Sequence, residues 1–270
     1  MDTETEFRSL DGTALRGTLT PTDAATAGLA VLVHGAGVTR EEGGFFARVA
    51  AGLAEVGVAG LRFDLRAHGA SAGRQQEITI AGIASDIRAA ADHARELTGW
   101  SGPVHVLSAS FSGGAACLYA SHRPADVNKL VLLNPRLDYR ERYTLGRPEW
   151  DGAYLRPDSV AKLDAQGYTG KSPFEMGRGL LNEVLWWDTE AVLAAVRAPA
   201  LVVHGTKDTF VDVELSRRYA PLLGGGARLV ELDGAQHGFA VHEDPGYLHP
   251  QSQAWQREVI ELVRRFLVMG

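Results

Sequence analysis

Apolar residues along the chain alternate between two spacings. Continuous runs such as Leu29-Ala30-Val31-Leu32-Val33 and Ala200-Leu201-Val202-Val203 read as strands buried on both faces, where no polar alternation is needed. Between such runs, residues 43–56 carry Phe45, Phe46, Val49, Leu53 and Val56 at helical spacing. Residues 58–65 return to strand, and 78–97 to helix. A strand-helix-strand alternation of this kind predicts a mostly parallel sheet with helices on its faces. At the start, residues 6–10 and 15–20 are β-prone around Asp11-Gly12, the spelling of an antiparallel hairpin at a sheet edge. Further strands are expected at 104–107, 129–133 and 227–232, with helices at 213–223 and 251–268.

Regularity lapses between Arg136 and Arg197. This stretch is rich in Tyr, Trp, Arg, Pro and Gly, with helical patches only at 160–163 and 180–187 and no strand signal. A long irregular segment inside a regular alternation reads as a functional insertion, a cap or lid over the sheet. Its aromatic residues, Trp186 and Trp187 above all, with Tyr154, Tyr168 and Phe174, either line a substrate pocket or fasten the insertion to the domain. Adjacent tryptophans on a helix diverge by about 100°, so only one of the pair can point fully into a pocket.

Nothing else divides the 270 residues. No linker, charge block or internal repeat appears, which favours a single domain with one insertion. A formal net charge of −6 offers no basic footprint for nucleic acid or an anionic membrane. The first residues, Met1-Asp2-Thr3-Glu4-Thr5-Glu6, are acidic and resemble neither a signal peptide nor a membrane span, so a cytoplasmic protein is expected. Small molecules are the expected partners, with a homodimer the one protein assembly left open. The single cysteine, Cys117, lies among alanines and reads as a small buried residue.

Against this frame the chemistry-bearing residues fall at strand ends. The run at 104–107 leads into Ser108-Ala109-Ser110-Phe111-Ser112-Gly113-Gly114, a strand-to-helix corner of small residues. This is the context of a nucleophile elbow, although serines stand where G-x-S-x-G has glycines. Ser110 is preferred to Ser112 as the nucleophile because the apolar run stops at Leu107, which leaves the usual one-step corner. A Ser/Gly loop that merely caps a helix is the plainer alternative. The strand ending at Val33 runs into His34-Gly35-Ala36-Gly37, where the Ala36 N–H can turn toward the elbow as an oxyanion donor. Asp208 follows the strand at 200–203, with Asp212 and Asp233 as competing acids. His237 follows the strand at 227–232.

A serine hydroxyl needs a base, and the base needs a carboxylate to fix its tautomer. Ser110, Asp208 and His237 occur in the order serine, acid, histidine, each beyond the C-terminal end of an expected strand, where open α/β sheets place their sites. Asp64, Arg66 and His68 form a further polar cluster after the strand at 58–65, read as holding a loop by hydrogen bonds. No H-x-x-x-H, C-x-x-C or strand-borne G-x-G-x-x-G spacing calls for a metal or dinucleotide.

With these residues in view, the chain resembles the α/β-hydrolase superfamily over nearly its whole length. The matching pieces are His34-Gly35, Phe63-Asp64-Leu65-Arg66-Ala67-His68-Gly69-Ala70-Ser71, the Ser110 corner, His204-Gly205-Thr206-Lys207-Asp208 and Ala235-Gln236-His237-Gly238-Phe239. It is most similar to serine esterases and acyl hydrolases related to cinnamoyl esterases and monoacylglycerol lipases. The resemblance implies an eight-stranded, mostly parallel sheet with residues 136–197 as cap, oxyanion donors at the Ala36 and Phe111 N–H groups, and no cofactor. It also implies hydrolysis of a small ester or thioester through an acyl-enzyme. Acyltransferases, cyclases, thioesterases and catalytically silent ligand-binding members share the fold. Two departures bear on geometry: Ala67 replaces the family's glycine, and Ser108 and Ser112 flank the nucleophile.

Overall fold

The computed structural model describes residues 1–22, 27–171, 174–244 and 246–268. The chain opens with a hairpin, β1 (Thr3–Arg8) and β2 (Ala14–Thr20), as the Asp11-Gly12 turn predicts. Strands and helices then alternate: β3 (Gly28–Val33), α1 (Phe45–Ala54), β4 (Val58–Phe63), α2 (Ile80–Thr98), β5 (Val104–Ala109), α3 (Ser112–His122) and β6 (Val127–Leu133). After a long excursion the order resumes with β7 (Ala200–Gly205), α4 (Val213–Tyr219), β8 (Ala227–Leu232) and α5 (Pro250–Val268).

These eight strands form one sheet in the order β1-β2-β4-β3-β5-β6-β7-β8. From β4 to β8 the strands run parallel, and the hairpin adds antiparallel to the β4 edge. Inner strands alternate their apolar residues between two cores. Leu29, Val31, Val33, Val104 and Val106 pack with α2 and α3 on one face, while Ala30, Leu32, Leu107 and Val131 pack with α1 and α5 on the other. Both faces being covered is what makes these strands read as continuous apolar runs. Helix α2 starts where Thr79 Oγ1 accepts the Gly82 N–H at 2.9 Å and stops at Gly99, with φ +69°, a capped start and a left-handed stop.

The excursion between β6 and β7 is more ordered than its sequence suggests. It holds the short helices Tyr139–Tyr143, Pro157–Gln166, Arg178–Leu185 and Thr189–Ala195. It also contains two small antiparallel hairpins, Trp150–Asp151 with Tyr154–Leu155 and Tyr168–Lys171 with Glu175–Gly177. The expectation of no strands there is therefore corrected: strands of two to four residues are too short to show a period. The excursion is fastened to the body by Glu183, whose carboxylate accepts the N–H groups of Ile80 and, at 2.8 Å, Ala81. These are free donors of the first turn of α2, where a negative charge is favoured.

Candidate active site

Ser110 sits between the end of β5 and the start of α3 with φ +51°. A left-handed serine is strained by about 1–2 kcal/mol, and the surrounding backbone holds it there. Its N–H donates to Leu133 O at 2.9 Å, and its carbonyl accepts from Gly113 at 3.0 Å and Arg136 at 2.8 Å. Close approach explains the glycines nearby. A Cβ on Gly35 would lie 3.0 Å from Ser110 Cβ, and one on Gly113 would lie 2.7 Å from Pro135 Cβ.

The two serines that replace the expected glycines are accommodated differently. Ser112 is buried, and its Oγ lies 2.9 Å from Ala109 O and 3.1 Å from Val33 O, so its hydroxyl donates to backbone carbonyls and ties α3 to β3. Ser108 is buried in β5, and its hydroxyl has no hydrogen-bond partner among the described residues. Ser110 and not Ser112 faces the histidine.

His237 follows β8 in a short turn. Its Nε2 is 2.9 Å from Ser110 Oγ, and its Nδ1 is 2.6 Å from Asp208 Oδ2. A carboxylate only accepts, so Nδ1 carries the proton and Nε2 is free to accept from the serine hydroxyl. Asp208 Oδ1 is held by the N–H groups of Phe210 at 2.8 Å and Val211 at 2.9 Å. Burial works to raise the Asp208 carboxyl, but hydrogen bonds from His204 and His237 hold it well below the usual carboxylate range. The competing acids do other work. Asp212 caps α4, accepting Glu214 N–H at 3.0 Å, and Asp233 accepts from Thr206 Oγ1 at 3.2 Å.

Ala36 and Phe111 both line the cavity beside Ser110, and neither N–H donates a hydrogen bond among the described residues. The loop carrying Ala36 is fixed from behind. Gly37 N–H donates to His68 Nε2 at 3.1 Å, and Leu65 N–H to His34 Nε2 at 2.9 Å. Burial pushes His34 down to about 4, so it stays a neutral acceptor. The 64–71 loop behaves as the sequence suggests. Asp64 accepts from the N–H groups of Arg40 at 2.8 Å and Ala70 at 2.9 Å, and Arg66 is forked onto Asp86. Ala67 occupies the glycine position with φ +61°.

The cavity has a volume of about 520 Å³, within the range of small-molecule sites. Its walls include Val38, Phe111, Tyr143, Phe210, Val211 and Val241, with Arg136 and Arg142 contributed by the excursion. Trp186 and Trp187 are not among them, which corrects the expectation that this pair lines the pocket. Trp187 is buried, with Nε1 donating to Leu137 O at 3.0 Å and its ring edge-on to Tyr139 at 4.9 Å. Trp186 is 89% exposed beside a separate surface groove. Of the other aromatics, Phe174 packs edge-on against Phe111 at 5.0 Å, and Tyr154 points to solvent.

Sequence reasoning missed His204. It lies fully buried behind the acid, with Nδ1 2.6 Å from Ser216 Oγ, and Nε2 2.9 Å from Val211 O and 3.4 Å from Asp208 Oδ2. The carbonyl acceptor makes Nε2 the donor, directed at both oxygens. Its trace in the sequence is its place at the head of the His204-to-Asp208 piece, four residues before the acid.

A family described as serine aminopeptidase, S33, matches residues 24–160, just over half of the chain. The chain belongs to this family of α/β-hydrolases. A monoacylglycerol lipase of Mycolicibacterium smegmatis is 28% identical over 216 residues, 70% of this chain and 73% of the lipase. Among solved structures, Est1E of Butyrivibrio proteoclasticus with ferulic acid bound superposes with a TM-score of 0.78 at 22% identity, covering 98% of each chain. The monoacylglycerol lipase of Paleococcus ferrophilus gives 0.64 at 22% identity, covering 93% of this chain and 98% of that one. This α/β-hydrolase is accordingly a serine hydrolase enzyme built on the eight-stranded fold described above. None of its described helices is long and apolar enough to cross a membrane.

Proposed function

We propose that this α/β-hydrolase cleaves a carboxylic ester or thioester of a small molecule through Ser110, His237 and Asp208. The observation that carries the reading is the unbroken chain from Ser110 Oγ to His237 Nε2 at 2.9 Å and from His237 Nδ1 to Asp208 Oδ2 at 2.6 Å, opening on the cavity. Lipases and esterases among its relatives support the ester as the bond cleaved.

In this mechanism Ser110 Oγ attacks the acyl carbon while its proton passes to His237 Nε2. The carbonyl oxygen becomes an oxyanion, held by the N–H groups of Ala36 and Phe111 at the start of α3. Collapse expels the alcohol or thiol, which takes the proton from Nε2 and leaves an acyl-Ser110 ester. Water, deprotonated by the same nitrogen, attacks this ester, and the second collapse returns the proton to Ser110 and releases the acid. Asp208 keeps Nδ1–H in place and stabilises the imidazolium. Residues 136–197 act as a cap, contributing Arg136, Arg142 and Tyr143 to the cavity wall.

The test is a panel of p-nitrophenyl esters and acyl thioesters with the purified protein. Wild type is expected to turn over at least one member, Ser110→Ala none above background, and Asp208→Asn about 10⁴-fold less by analogy with the serine-protease acid. Asp212→Asn is expected to retain turnover. Full activity in Ser110→Ala, or a loss confined to Asp212→Asn, would overturn the assignment.

A further inference from the structure

Resting on the acyl-transfer reading above, we infer that the substrate carries a carboxylate, bound by Arg142 on the wall of the cavity that holds Ser110. Arg142 lies on the excursion's first helix, Tyr139–Tyr143, and borders the cavity, half-buried. Its guanidinium lies over the Tyr143 ring, 5.5 Å from the centroid, a contact that steadies the charge without neutralising it.

No carboxylate among the described residues pairs with Arg142, and the acids beside it in sequence and on the cavity wall have other partners. Glu141 pairs with Arg218 at 3.3 Å, and Asp138 pairs with Arg136 at 2.8 Å. Asp244, the acid on the cavity wall, accepts from Leu248 N–H at 3.0 Å, His249 N–H at 2.6 Å and Ser252 Oγ at 3.0 Å. The second cavity arginine, Arg136, is consumed by Asp138 and by the carbonyl of Phe210.

Among the described residues the cavity therefore presents one guanidinium with no ion-pair partner, beside the apolar side chains of Val38, Phe111, Tyr143 and Phe210. A partly buried guanidinium in such surroundings loses hydration, and a planar anion that fits its fork restores the lost interactions. A substrate with an apolar body and a carboxylate at its far end matches both features. The carboxylate sits either on the acyl chain or on the leaving group, and the two are separable by experiment.

The measurement compares charged and blocked twins. Mono-p-nitrophenyl adipate against its methyl ester reads the acyl side. 4-Butyryloxybenzoate against its methyl ester reads the leaving-group side. Wild type is expected to favour the acid in one pair, and Arg142→Gln to lower the acid-to-blocked ratio of kcat/KM in that pair by tenfold or more, with Arg142→Lys recovering part of it. Binding is read separately, by calorimetry with the same two acids on Ser110→Ala. One acid is expected to bind at least tenfold more weakly once Arg142→Gln is added. Equal losses on both twins, or binding that ignores the second substitution, would overturn the carboxylate site while leaving the serine chemistry intact. Hydrolysis that survives in Ser110→Ala would instead fault the serine reading, and the calorimetric comparison still decides on Arg142.

Discussion

Glu42 is buried next to the reacting groups, bordering with Ser110 and His237 a void of only about 10 Å³. Burial pushes its carboxyl up from 4.5 to about 7, against the weaker opposing pull of the Gly35 N–H. Below pH 4.5 the folded and unfolded chains both keep this proton. Between 4.5 and 7 only the folded chain does, so stability falls as pH rises through that window. Over pH 5 to 8 the loss is on the order of 2–3 kcal/mol. Denaturation midpoints at the two pH values are expected to show it in wild type and to show much less of it in Glu42→Gln; identical pH dependence in both proteins would contradict the assignment. Nothing in the sequence marks Glu42, which the fold buries beside Phe45, Phe46 and Phe239. Ser110, Asp208 and His237 were legible because each follows a strand in a fixed order. His204 and Arg142 were not, since their significance lies in which acids the fold leaves near them.

Among the elements, those with strong period were readable almost to their ends. Helix α5, expected at 251–268, spans Pro250–Val268, and α2, expected at 78–97, spans Ile80–Thr98. The excursion was legible as an interruption but not in its contents, because its hairpins and short helices take their order from contact with the body. The two tryptophans illustrate this: the sequence marks them equally, whereas the fold buries one and exposes the other. Trp187→Ala removes a buried indole and its hydrogen bond to Leu137, with an expected cost of about 3–5 kcal/mol. Trp186→Ala is expected to lie within about 0.5 kcal/mol of wild type. Urea midpoints on the two variants check this, and equal effects would show that Trp187 does not fasten the excursion.

For the whole molecule, the decisive feature is that side chains distant in sequence meet at one edge of the sheet. Ser110 and His237 are 127 positions apart, yet the parallel strands β5, β7 and β8 all end at the sheet's C-terminal edge and deliver serine, acid and histidine together. The parallel sheet, covered on both sides, supplies rigidity that a loop-built site lacks. The excursion contributes Arg136, Arg142 and Tyr143 to the wall of the cavity beside Ser110. The most direct measurement is covalent labelling of the folded protein with a fluorophosphonate, followed by intact mass and peptide mapping. One adduct is expected, on the peptide residue Ser110, retained in Ser112→Ala and absent from Ser110→Ala. An adduct on Ser112, or labelling that persists in Ser110→Ala, would contradict the assignment of Ser110 as the nucleophile.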